Sequence, residues 1–220
     1  YFIRDIDENI ENRFDWVMDC ARGAALMTQT TYEVKVLTAV HQQFSNRALA
    51  GLIFENIEAV ERPEYTEEEE AFARTLQESM GLPAKGLDYP LKLSDAESEP
   101  FWGGSTDVGD VTLVTPCATV HFPARIPGKL PGHHWTVVTC GISSYAHKGI
   151  TAGAKTACCT TWDLLTRPQL LSGIKKEFQQ LSAERPYKTF LPDDAEPPLG
   201  WNAGLMEKHR TAMEKFYITP

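Results

Sequence analysis

Apolar positions recur at two periods along this chain, and the switching between them predicts its elements. Ile10, Phe14, Val17, Met18 and Ala21 fall at helical spacing and form one stripe. Asp5 or Asp7 stands where a helix cap belongs, and Gly23 lies near the far end. Residues 1–4 and 31–40 are expected as flanking strands, the second because β-branched residues alternate through part of it. Strand, helix, strand leaves a sheet edge that needs another strand or another subunit.

Beyond Phe44 the helical period returns. Ser45 or Asn46 is placed to cap a helix whose inner face carries Leu49, Leu52, Ile53, Ile57 and Val60, and the Arg62-Pro63 step closes it. Thr66 opens a second helix with an acidic first turn, which the positive end of the helix dipole favours, and Gly81-Leu82-Pro83 ends it. Residues 82–102, rich in Pro, Gly, Ser and acidic side chains, form the longest irregular connection, of a length that is commonly functional. Residues 111–114, 118–122 and 136–140 read as strands between Pro and Gly turns. Residues 148–165 and 169–181 read as helices, the second with Leu170, Ile174, Phe178 and Leu181 on one face. The alternation predicts an α/β sandwich with helices covering a sheet. The stretch 184–220 is Pro-rich and then briefly helical, and no internal repeat is visible.

Composition narrows the functional classes. A 220-residue chain that is 42% hydrophobic and 23% charged has the make-up of a soluble globular protein of one or two domains. No apolar run approaches the roughly 20 residues that span a bilayer, so no membrane role is expected. The net charge of −9, with acidic residues 67–70 clustered, argues against a nucleic-acid surface. Five scattered cysteines fit reduced thiols in the cytoplasm better than a disulfide framework, and Cys158 and Cys159 lie inside a helix-like segment.

The chemistry concentrates in two Gly-containing stretches, 103–116 and 132–157, which hold Asp107, Asp110, His133, His134 and His147. Carboxylates and histidines near element ends are the raw material of a metal-dependent active site, although neither HExxH nor paired CxxC is present. His147 is the foremost metal-ligand candidate, since neutral imidazole binds zinc well and the small residues 149–157 let backbone approach a cleft. The competing reading makes it a helix-start residue bonded to backbone. Asp107 and Asp110 either orient ligands and substrate or fix the turn, the commoner role for Asp beside Gly. Adjacent His133 and His134 on an extended segment point to opposite faces, so both cannot serve one metal. Lys148 is placed to pair with a substrate carboxylate or to be an ordinary exposed lysine. His41, His121 and His209 have no supporting constellation.

Four blocks, ARGAALMTQTTYEV at 21–34, STDVGDVT at 105–112, GHHW at 132–135 and AHKGITAGAKTA at 146–157, appear in an order that resembles the C-terminal half of amidohydrolases of the aminobenzoyl-glutamate hydrolase B-subunit type. That group belongs to the zinc-dependent aminoacylase and carboxypeptidase superfamily. The resemblance implies a three-layer α/β/α catalytic portion plus part of a ferredoxin-like α+β lid. On this basis 1–44 is lid and dimerisation domain, 45–198 is catalytic domain and 199–220 is a C-terminal extension. It further implies cleavage of the amide bond of an N-acyl amino acid or dipeptide such as aminobenzoyl-glutamate. Two zinc ions, or manganese or cobalt, would be held in part by His147. Pocket walls would run from Gly104 to Asp110, including Ser105 and Asp107, and from Gly132 to Trp135, including His133, with Lys148 nearby. The family's general base and further ligands fall in a first half with no counterpart here, so no catalytic residue is assigned to this chain. A fragment or one piece of a split enzyme is expected, working as a homodimer or hetero-oligomer through the lid. The alternative is a non-catalytic interaction subunit or pseudo-enzyme.

Overall fold

In the computed structural model, which describes residues 1–60, 62–89, 92–93, 104–128 and 132–217, every regular element is a helix. They are α1 (Asp7–Thr28), α2 (Arg47–Ala59), α3 (Glu67–Ser79), α4 (Val108–Val114), α5 (Trp135–Gly141), α6 (Ser144–Thr166), α7 (Gln169–Glu184) and α8 (Ala203–Glu214). The chain divides into unit 1, Tyr1–Gln42 with Lys188–Pro220, and unit 2, Gln43–Tyr187.

This corrects the expected α/β class, both the three-layer sandwich and the ferredoxin-like lid. Residues 111–114 and 136–140 lie inside α4 and α5, and 118–122 is irregular. Apolar runs of four or five residues fit a buried strand or a helical segment equally well, and here they are helical. Thr112 Oγ1 donates to Gly109 O at 2.6 Å within α4. The His134 ring accepts from Thr136 N at the start of α5. Residues 1–4 and 31–40 are free of helix but pair with no strand among the described residues, and Tyr32, Val34 and Leu37 are exposed. β-branched residues favour a pleated, half-buried surface, and without a ladder partner that preference has nothing to act on.

The longer helices follow their sequence signals. In α1, Ile10, Phe14, Val17, Met18 and Ala21 are the half-buried stripe. Asp5 precedes the first turn and accepts from Ile6 N, Asn9 Nδ2 and Arg13 Nε, at 2.8, 3.1 and 2.8 Å. Helix α1 ends on Gln29, whose left-handed φ of 54° lets its N–H reach Ala25 O. Asn46 caps α2 by accepting from Leu49 N at 2.9 Å, while its Nδ2 donates to Ile174 O of α7 at 3.0 Å. From α7, Glu177 adds a carboxylate to the same helix start, accepting from Arg47 N and Ala48 N. Thr66 and Glu69 form a complete capping box on α3.

Unit 2 has two packed regions. In one, α2 lies on α6 and α7, with Leu52 and Ile174 buried and Asn56 donating to Asp163 of α6 at 2.9 Å. In the other, Ala73 and Leu76 of α3, Cys140 of α5 and Tyr145 and Ala146 of α6 cluster with Leu87 and Ile126. Gln77 ties the loops to that core. Its side chain accepts from Gly86 N at 2.8 Å and donates to Gly86 O and Pro127 O at 3.0 and 3.1 Å. Gly86 has φ +76°, and a Cβ there would stand 1.9 Å from Glu70 Oε2, so only glycine suits the position.

Candidate functional site

The residues singled out by chemistry are distributed over the starts of α4, α5 and α6. Ser143 caps the start of α6, its side chain accepting from Ala146 N at 3.3 Å, with Tyr145 and Ala146 fully buried behind it. His147 follows on the exposed side of this turn. Its backbone N donates to Ser143 O at 3.3 Å and its carbonyl accepts from Thr151 Oγ1 at 2.9 Å.

Lys148 is committed within the fold. Its Nζ lies 2.7 Å from Glu69 Oε2 and 2.9 Å from Glu64 O. The Glu69 carboxylate is only 7% exposed, yet it also accepts from Ser144 Oγ at 2.5 Å and from Thr66 N at 2.8 Å. Burial pushes this carboxyl up, but the Lys148, Ser144 and Thr66 hydrogen bonds outweigh it, and the net shift is downward. Ser144 and Lys148 stand one turn apart on either side of His147, so one buried carboxylate of α3 grips the first turn of α6 at two points. Glu69 was invisible as a site residue in the sequence because its partners lie 75 and 79 positions away.

The small residues of α6 serve packing. A Cβ on Gly149 would lie 2.1 Å from Pro123 O, and one on Gly153 would lie 2.6 Å from the Phe122 ring. Backbone does approach α6 closely there, and what approaches is the 122–123 segment.

Ser105 and Asp107 are exposed ahead of α4, and Asp110 is half-exposed in its first turn. Thr106 Oγ1 accepts from Val108 N at 3.3 Å, whereas Asp107, at the cap position, makes no side-chain cap bond. His133 is exposed before α5. His134 caps α5, and its ring lies 5.4 Å from that of Trp135.

A zinc site needs three or four protein ligands, and among the described residues no three His, Cys, Asp or Glu side chains stand close enough to hold an ion. These residues therefore do not fit the implied zinc centre by themselves. No helix among them is long and apolar enough to cross a membrane.

Comparison with known proteins adds one decisive finding. The B subunit of p-aminobenzoyl-glutamate hydrolase from Escherichia coli (strain K12) is 30% identical over 213 residues, taking in 86% of this chain and 44% of the relative. This chain is its homologue. The chain spans less than half the length of the curated relative it matches. Residues 43–187 are too few to hold 86% of the chain, so the similarity to the hydrolase runs into unit 1 as well as unit 2. No family model matches the chain, and no solved structure matches it.

Proposed function

We propose that this chain is part of a metal-dependent amidohydrolase that cleaves the amide bond of an N-acyl amino acid or dipeptide, aminobenzoyl-glutamate being the type of substrate. The observation that carries this reading is the 30% identity to a named aminobenzoyl-glutamate hydrolase over 86% of the chain. His147 is the residue we assign to the metal, as one ligand of a centre whose other ligands lie beyond the described residues. It is exposed on a helix turn that Glu69 holds rigid through Ser144 and Lys148, which suits a ligand presented outward. Asp107, Asp110, Ser105 and His133 are assigned to substrate contact. Zinc is the expected ion, with manganese or cobalt as substitutes, and the setting is cytoplasmic, in keeping with five free cysteines.

The test combines this chain with the polypeptide equivalent to the rest of the relative's length and measures release of the free amino acid together with bound metal. His147→Ala is expected to lower both by about 100-fold or more, since loss of a supporting residue alone costs about 10–100-fold. Retention of metal and turnover by that variant overturns the assignment.

A second reading, a non-catalytic interaction subunit, draws support from Tyr32, Val34 and Leu37, which expose apolar side chains along 31–40. Under that reading an assembled enzyme tolerates His147→Ala, while Val34→Glu prevents assembly.

A further inference from the structure

We propose that the outward face of α6 is a docking surface for the polypeptide equivalent to the part of the Escherichia coli relative that this chain does not match. A surface helix ordinarily hides its apolar stripe and turns charged side chains to water. Helix α6 does the reverse. The side it buries beyond its first turn is small or hydroxylic, with Gly149 against Pro123, Gly153 against the Phe122 ring, and Thr156 and Thr160 enclosed. The side it shows to solvent carries Ile150, Trp162 and Leu165, which are 57, 67 and 75% exposed, with Ala154 and Cys158 exposed between them. These five recur every three or four positions, so they line one face of the helix as a continuous strip instead of lying scattered. Between Ile150 and Leu165, Lys155 is the one exposed charged side chain. Helices α2, α5 and α7 pack on α6 and leave this strip open.

Two observations choose the occupant. The match takes in 86% of this chain but 44% of the relative, so more than half of the relative has no counterpart here, and an open apolar strip along a 23-residue helix is a seat for that remainder. His147 stands three positions before Ile150 and on the same exposed side, so the strip begins at the residue assigned to the metal. The inference rests on the reading proposed above, in which the donors missing around His147 belong to another stretch of polypeptide. A stretch seated along Ile150 to Leu165 is carried to that end of the helix. A second copy of this chain, seated strip to strip, adds one more His147 and still falls short of the three protein ligands that a zinc centre needs.

The test co-expresses this full chain with the stretch of the Escherichia coli subunit that it does not match, isolates the complex through a tag on that stretch, and maps thiol labelling by mass spectrometry. Cys158 lies in the strip and is a native reporter. It should label at once in the chain alone and lose that labelling in the complex. Trp162→Glu should weaken association by about 30-fold or more, the level of a central tryptophan anchor, while the variant chain alone keeps the wild-type melting temperature because the position is exposed. Trp162→Phe, which keeps the strip apolar, should retain most of the association. The proposal is overturned by the absence of a complex, by a complex in which Cys158 labels as fast as in the free chain, or by one that tolerates Trp162→Glu. Concentration-dependent protection of Cys158 in the chain alone also overturns it, since the strip is then an interface between copies. Turnover is scored separately. A protected complex that hydrolyses no N-acyl amino acid ends the hydrolase reading and leaves the docking surface standing, whereas turnover with Cys158 open to label does the opposite.

Discussion

Units 1 and 2 of this chain keep their helices in place by different means. In unit 2, α3, α5 and α6 share a cluster of fully or nearly fully buried side chains, and polar bonds are built around it. In unit 1 neither α1 nor α8 buries a single side chain completely, and the most enclosed group is an ionisable one, His41. Apolar burial stabilises in proportion to the area removed from water, and half-buried side chains supply less of it. Unit 2 is thus expected to lose most when its core is cut, and unit 1, whose side chains other than His41 are at most half-buried, to lose less per truncation.

The sharpest way to break that contrast is Leu76→Ala. Leu76 is 6% exposed in the α3–α6 cluster, and its truncation is expected to cost about 2–5 kcal/mol in denaturant unfolding. A cost below about 1 kcal/mol, the level of an ordinary substitution, would mean that the cluster is not what holds unit 2 together.

Gly149→Ala comes next. The added methyl meets Pro123 O at 2.1 Å, a backbone atom that cannot swing aside, so overpacking is expected to cost about 1–3 kcal/mol by thermal melting. Gly173→Ala, where a Cβ meets nothing within 4 Å, is the matched control and should be neutral or mildly stabilising.

Even a larger truncation in unit 1 should cost less. Phe14 lies on the half-buried stripe of α1, and Phe14→Ala is expected to lower stability by about 1 kcal/mol, well short of the 3–5 that a fully buried aromatic loses. Equal costs for Leu76→Ala and Phe14→Ala would abolish the distinction.

Acid should separate the units most finely. The folded Glu69 carboxyl sits below its ordinary range because the bonds from Lys148, Ser144 and Thr66 outweigh burial, so its contribution is present above the unfolded value and disappears as pH falls through the folded one. Below about pH 4, near the ordinary Glu value, unit 2 should weaken progressively. Glu69→Gln should be less stable at neutral pH and show a flatter profile on acidification. Asp5 in unit 1, held at about 2 chiefly by the Arg13 hydrogen bond, then by Asn9 and Ile6, keeps its charge to lower pH. It is exposed to solvent screening, so Asp5→Asn should shift stability only slightly.

Sequence signals were legible where one residue's side chain answers its own neighbourhood. Asn46, Thr66 with Glu69, and the Ile10 to Ala21 stripe all act within a few positions, and the structure places helices α2, α3 and α1 accordingly. Helices α6 and α7 carried enough turns for periodicity to speak. Helices α4 and α5, at 7 residues each, did not, and their valine and threonine content favoured strands. Residues 31–40 have strand composition, but strand formation depends on a neighbour that composition does not name. At the candidate site the sequence offered His147 by residue type alone, and the bonds that Lys148 and His41 make run to partners 79, 34 and 147 positions away, which no local pattern announces. The long irregular connection expected at 82–102 lies in part outside the described residues.

The core position of Cys140 makes the chain its own reporter of breathing. Cys140 is wholly enclosed, whereas Cys158 and Cys159 are exposed on α6. A thiol reagent will modify the exposed pair at once and reach Cys140 only during excursions that part α5 from Tyr145. The lag between the two classes of thiol measures the free energy of that opening without any introduced probe.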